Sequence, residues 1–240
     1  MVKLYINGLE AKAEEGQTVL EVARWLGIEI PTLCHYEGLS LYGACRLCLV
    51  EIGNPPWFPP RLDGRVETGR SGGGKTRLVT SCLYPVKEGL YVRTHSERVV
   101  KVRKMLMELL LARCPGSKKL QDMAAKMGLT RVRFKPENKD CILCGLCVRM
   151  CEEQMQSGAI GFSNRGTKRE VTVPFRQANP VCRNCGACMY ICPVVEMRCQ
   201  ATTNKEALCS GCLNFEPVCL ETYPDVKCFL EVCGACVPKK

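Results

Sequence analysis

Cys141–Cys151 reads CILCGLCVRMC, and Cys182–Pro193 reads CRNCGACMYICP. Both stretches carry the spacing C-x2-C-x2-C-x3-C, and chance production of both is negligible. Soft thiolates crowded in this way are the donor set of a four-iron, four-sulfide cubane. Gly145 and Gly186 lie inside the runs, where a missing side chain lets the backbone wrap closely around such a group. From Asp140 onward, periodicity gives way to cysteine spacing.

The repeated run, closed by Pro193, resembles the bacterial two-cluster ferredoxin pattern, in which the last cysteine of each run serves the other cubane. The resemblance implies Cys141, Cys144, Cys147 and Cys192 around one 4Fe-4S centre, and Cys182, Cys185, Cys188 and Cys151 around the second.

Composition limits the alternatives. Twenty cysteines among 240 residues would suggest a disulfide scaffold in a short secreted chain. The start MVKLYINGLEAKAEEG, however, lacks the apolar core of a signal peptide, and the apolar run Met105–Ala112 is far too short to span a bilayer. The expectation is a cytoplasmic chain with no membrane span, whose C-x-x-C pairs hold metal. The formal charge of +10 invites a nucleic-acid reading. Each four-cysteine cluster carries a net charge of about −2, so three or four offset about six to eight positive charges. Aromatic residues make up only 6% and form no stacking array, so no nucleic-acid partner is expected.

Toward the N-terminus the pattern is α+β. KLYI and GLEAKA flank the Asn7-Gly8 turn as a hairpin, and QTVLEVARWLG follows as a helix. RLCLVEI, RLVTSC and LYVRT are further strands. The proline-rich start and glycine-rich end of NPPWFPPRLDGRVETGRSGGGKT read as an extended hairpin insertion, with Trp57 and Phe58 suited either to docking a partner or to folding back. THSE, Thr94–Glu97, fits a capping box. Val99, Val102, Leu106, Leu109 and Leu110 then fall on one helical face, and KKLQDMAAKMG forms a second helix stopped by Gly128.

Within this part Cys34, Cys45, Cys48 and Cys82 are spaced as four thiolates held by tight loops, which suits a 2Fe-2S centre; a zinc site or plain buried thiols are the alternatives. His35 follows a ligand directly, so it is expected to tune that centre or to bond locally.

GRSGGGKT, Gly69–Thr76, has the letters of a phosphate-binding loop, but no apolar strand precedes it and no helix follows. It sits between the third and fourth ligands of the first site, as a variable loop. An ATP-dependent iron-sulfur switch using Lys75 stands as the reading from a different functional class.

The words LCHYEGLS and GACRLCLVE, with ten residues between Cys34 and Cys45, resemble the diaphorase electron-transfer subunit of NAD-linked nickel-iron hydrogenases and the matching start of the large iron-sulfur subunit of respiratory complex I. The resemblance runs to about residue 198 and includes ELLLA and LQDMA. It implies an N-terminal β-grasp 2Fe-2S ferredoxin domain at 1–95, a helical connector at 96–138 and a two-cluster 4Fe-4S ferredoxin domain at 139–198; a Cys-rich metal-binding tail at 199–240 is expected beyond the family's usual end. A further centre held by one histidine and three cysteines belongs in the connector of that family. RCPGSKK offers Cys114 alone there, so that cluster is expected to be lost.

The tail holds Cys199, Cys209, Cys212, Cys219, Cys228, Cys233 and Cys236. A further 4Fe-4S centre on Cys209, Cys212, Cys219 and Cys228, with Cys233 and Cys236 competing, is favoured over a zinc ribbon; Cys199 is read as a bystander.

No catalytic residues or flavin fingerprint stand out. The resemblance implies a non-catalytic electron-transfer subunit in a hetero-oligomer, relaying electrons between a flavin-containing NAD(P)H-oxidising or -reducing subunit and a second catalytic subunit. A nickel-iron hydrogenase, electron-bifurcating or not, heads the candidates for that second subunit. Formate dehydrogenase or transhydrogenase complexes, and a succinate dehydrogenase-type iron-sulfur subunit, are the alternatives.

Overall fold

The computed structural model describes residues 1–53, 76–177, 179–183 and 185–194. Trp57, Phe58 and Lys75, the phosphate-loop letters up to Lys75, and every tail cysteine from Cys199 to Cys236 lie outside the described residues. The chain divides into two compact units. The first comprises Met1–His35, Leu41–Pro115 and Leu120–Asn138; the second comprises Tyr36–Ser40, Gly116–Lys119 and the chain from Lys139 on.

In the first unit β1 (Val2–Ile6) and β2 (Leu9–Ala13) pair antiparallel around Asn7 and Gly8, both at positive φ, the conformation that a tight two-residue hairpin demands. Thr18 then caps α1 (Val19–Trp25): its hydroxyl accepts from the Glu21 amide, and the Glu21 carboxylate accepts from the Thr18 amide at 2.6 Å. β3 (Leu49–Gly53), β4 (Arg77–Thr80) and β5 (Leu90–Arg93) complete a mixed sheet of order β2-β1-β5-β3-β4, with β1 and β5 parallel. Leu4, Ile6, Val50, Ile52, Leu90 and Val92 from the sheet pack on Val19, Leu20, Val22 and Ala23 of α1, and Cys48 and Cys82 belong to the same core. This sheet with one helix against it is the β-grasp arrangement expected from the sequence.

Two further helices follow, α2 (Glu97–Arg113) and α3 (Lys118–Lys126), the latter stopped by Gly128 at φ +66°. Two details differ from the sequence expectation. The cap of α2 is Ser96, whose hydroxyl accepts from the Val99 amide, because the Thr94 hydroxyl is taken by the Asn7 side chain at 2.7 Å. The buried residues of α2 are Val99, Arg103, Met107, Glu108, Leu111 and Ala112; of the expected stripe Val99 is buried, Val102, Leu106 and Leu110 are half-buried, and Leu109 is 45% exposed. Among the described residues, no helix is long and apolar enough to cross a membrane.

In the second unit α4 (Leu146–Arg149) runs on into a π-helical turn, Met150–Gln154. A small hairpin, β6 (Gly161–Ser163) with β7 (Glu170–Thr172), separates it from α5 (Ala187–Tyr190). The loop Tyr36–Ser40 is fastened to this unit: Glu153 accepts from the Ser40 amide at 2.7 Å and from its hydroxyl, Arg149 donates to the Ser40 carbonyl, and Gln154 donates to the Gly38 carbonyl at 2.6 Å.

Candidate iron-sulfur centres

Cys34, Cys45 and Cys48 enter the first unit on the loop between α1 and β3, and Cys82 enters on the turn that ends β4; all four are buried. Gly43 at φ +70° and Arg46 at φ +60° bend that loop so that its sulfurs turn inward. The Cys45 amide donates to the Cys34 sulfur at 3.3 Å, and the Cys48 and Cys82 sulfurs lie 3.3 Å apart. The Ser81 amide and hydroxyl both donate to the Cys48 carbonyl, at 3.1 and 2.8 Å, which ties the two cysteine-bearing segments together.

Packed this closely, the thiols cannot all ionise by themselves. The hydrogen bond it shares with Cys82 and the dipoles of its neighbours hold Cys48 down to about 6, while the same bond and burial push Cys82 up. Cys45 is pushed up through its hydrogen bond with Cys34 and by burial. Buried acids this close give up their remaining protons more readily when positive charge arrives among the sulfurs, and an all-sulfur donor set is one that iron accepts.

In the second unit the two runs repeat one local design. Gly145 at φ +74° and Gly186 at φ +72° each follow the second cysteine of their run and open a single helical turn, α4 and α5. The left-handed backbone is nearly free for glycine and costs about 1–2 kcal/mol for other residues. Leu143, at φ +57°, aims its amide at the Cys141 sulfur, 3.3 Å away.

The thiols whose charges bear on Cys144 are Cys192, Cys147 and Cys141, and burial with these neighbours pushes it up to about 12. Those bearing on Cys188 are Cys151, Cys185 and Cys182, and it is pushed up to about 11, again chiefly by burial. The thiols that bear on Cys144 and on Cys188 thus include the last cysteine of the other run, as a ferredoxin-type exchange would require. Cys147 is pushed up to about 12, chiefly by burial, and feels Cys192, Cys141 and Cys188. These sulfurs also fit iron, on the same argument.

A family described as "2Fe-2S iron-sulfur cluster binding domain" matches residues 1–97, and one described as "4Fe-4S dicluster domain" matches residues 140–196. The chain joins a 2Fe-2S domain to a 4Fe-4S dicluster domain. One 2Fe-2S and two 4Fe-4S clusters are the cofactors of these domains.

The pair is also found in longer proteins. A subunit of the NADH-quinone oxidoreductase of Rhizobium meliloti (strain 1021) is 33% identical over 81% of this chain and 23% of its own length. NADP-reducing hydrogenase subunit HndD of Solidesulfovibrio fructosivorans is 30% identical over 80% of this chain and 35% of its own. NADPH-Fe(3+) oxidoreductase subunit alpha of Geobacter sulfurreducens is 31% identical over 80% and 23%. This chain therefore spans between about a quarter and a third of the relatives it matches. Among solved structures, a chain of the NAD+-reducing [NiFe]-hydrogenase in the H2-reduced state superposes with a TM-score of 0.56 at 29% identity, over 72% of this chain and 74% of that one.

Outside the ligand runs, Cys114 closes α2 and is buried at 2% exposure, and His35 is half-buried beside Cys34. His95 pairs its Nδ1 with the Thr94 hydroxyl at 2.6 Å. Arg103 is a buried charge on α2 that no sequence motif marks.

Proposed function

We propose that this chain is an electron-transfer subunit of an NAD(P)-linked oxidoreductase complex. In this reading Cys34, Cys45, Cys48 and Cys82 hold the 2Fe-2S cluster; Cys141, Cys144, Cys147 and Cys192 hold one 4Fe-4S cluster; and Cys182, Cys185, Cys188 and Cys151 hold the other. The clusters, when bound, accept and release single electrons. The protein holds them in two folded frames, supplies amide donors to the sulfurs and keeps the first site out of water. Its partners would be a flavin-containing subunit that oxidises or reduces NAD(P)H and a second catalytic subunit.

The observation that supports the reading is that Cys192 bears on Cys144 and Cys151 bears on Cys188, as an exchange of last cysteines between the two runs would require. The relatives' names favour a nicotinamide-linked complex, and two of them name a hydrogenase. We read the terminal partner as a nickel-iron hydrogenase on that basis. The tail thiols Cys209, Cys212, Cys219 and Cys228 would add a further cluster.

The test is anaerobic affinity purification of the intact chain from its own cells, with flavin, iron and sulfide assayed in the eluate. About ten irons or more per chain are expected, with a co-purifying flavoprotein that lets NADH or NADPH bleach the clusters. An iron count near four, or turnover of nicotinamide by the chain alone, would overturn the assignment.

A further inference from the structure

Arg103 lies on α2 at 5% exposure, with its Nε 3.1 Å and its Nη2 2.5 Å from the Leu49 carbonyl. Leu49 is the residue after Cys48, so the guanidinium caps the Leu49–Val50 peptide, one residue beyond a thiol of the first site. The acid whose charge reaches it is Cys48. Among the described residues of this unit, the two buried carboxylates are engaged elsewhere: Glu51 with the Thr76 hydroxyl at 2.7 Å and with Arg98, and Glu108 with Arg133 at 2.7 Å.

A carbonyl cap does not call for a charge, because a neutral amide would serve it. Burying a cation away from any carboxylate is expensive unless some other negative charge answers it. We propose that Arg103 is the positioning residue of the 2Fe-2S centre: it is the fixed positive charge that answers the anionic cluster and raises its reduction potential. The proposal rests on the reading of Cys34, Cys45, Cys48 and Cys82 as the ligands of that centre.

The physics is one of sign. An electron added to the centre makes the cage one unit more negative, and a cation held beside it in a water-poor setting favours that state. Arginine keeps its proton throughout, so no proton moves with the electron. Leu49 begins β3, and the double hydrogen bond fixes the head against that strand, so the charge cannot swing away as the cluster changes state. Burial pulls the Arg103 pKa down to about 10, which still leaves the group charged at neutral pH.

The experiment is an EPR-monitored redox titration of the full, cluster-loaded chain with dithionite. Arg103→Gln keeps a donor for the Leu49 carbonyl and removes the charge. It should lower the midpoint of the 2Fe-2S signal by about tenfold in the reduction constant, about 59 mV for one electron, and leave the 4Fe-4S midpoints unmoved. Arg103→Lys should recover more than half of that shift. A 2Fe-2S midpoint within about twofold of wild type in Arg103→Gln would reduce Arg103 to a structural clip.

Should Arg103→Gln fail to retain the centre, Arg103→His decides. The midpoint should then become pH-dependent, falling as the imidazolium loses its proton around its ordinary value of about 6.5, whereas the wild-type profile stays flat. A flat profile in that variant refutes the proposal. Absence of any 2Fe-2S signal from wild-type protein sinks the ligand reading itself, which is a separate result.

Discussion

Gly43 stands two residues before Cys45 with φ +70°, and a Cβ there would run into the side chain of Leu83, the neighbour of Cys82. Replacing it with alanine thus introduces two faults, a left-handed backbone and a collision between the two ligand-bearing loops. Gly43→Ala should cost about 1–3 kcal/mol in thermal or denaturant unfolding of the 2Fe-2S domain. Adding Leu83→Ala should recover the collision and leave the backbone part, so the double-mutant cycle separates them. No recovery in the double variant would mean that the loops do not meet there. The cysteine spacings announce this site because thiolates close together in sequence must lie close in space. The collision at Gly43 and the charge of Arg103 are hidden, since each depends on a partner 40 or more residues away that only the sheet brings near.

The elements themselves are largely legible. The Asn7-Gly8 turn, the Thr18 cap with Glu21 and the β-branched runs at Leu49–Gly53 and Arg77–Thr80 each encode their structure locally. The sequence of α2 misleads because it offers apolar residues on several faces, and local pattern cannot say which one meets the sheet. Its start misleads for a related reason: Thr94 has a competing partner in Asn7 across the fold, which leaves Ser96 to cap. Substitution distinguishes the two faces. Met107, fully buried, should cost about 2–5 kcal/mol as Met107→Ala, whereas Leu109→Ala should stay within about 0.5 kcal/mol in the same melting assay. The reverse order would restore the stripe of Val102, Leu106 and Leu109 as the packed face.

Taken whole, the chain carries a formal +10 and two domains whose cofactors are anionic, so much of its basic character balances its own cargo. The cysteines beyond residue 198 extend the same question. Removing residues 200–240 should lower the iron content by about four and leave the other EPR signals unchanged. Loss of one zinc and no iron would make the tail a structural clip. The strand order also governs how the molecule comes into being. Leu4 of β1 finds its partner Leu90 only at the far end of the domain, and Cys82 precedes β5 in the chain. On a ribosome adding about 5–20 residues per second, the first strand pairs with β2 at once but waits several seconds for β5 on its other edge. All four sulfurs of the first site are synthesised before the sheet that frames them can close. Iron offered during translation meets four thiols on an open chain, so orderly loading calls for the metal to arrive after Arg93 has emerged.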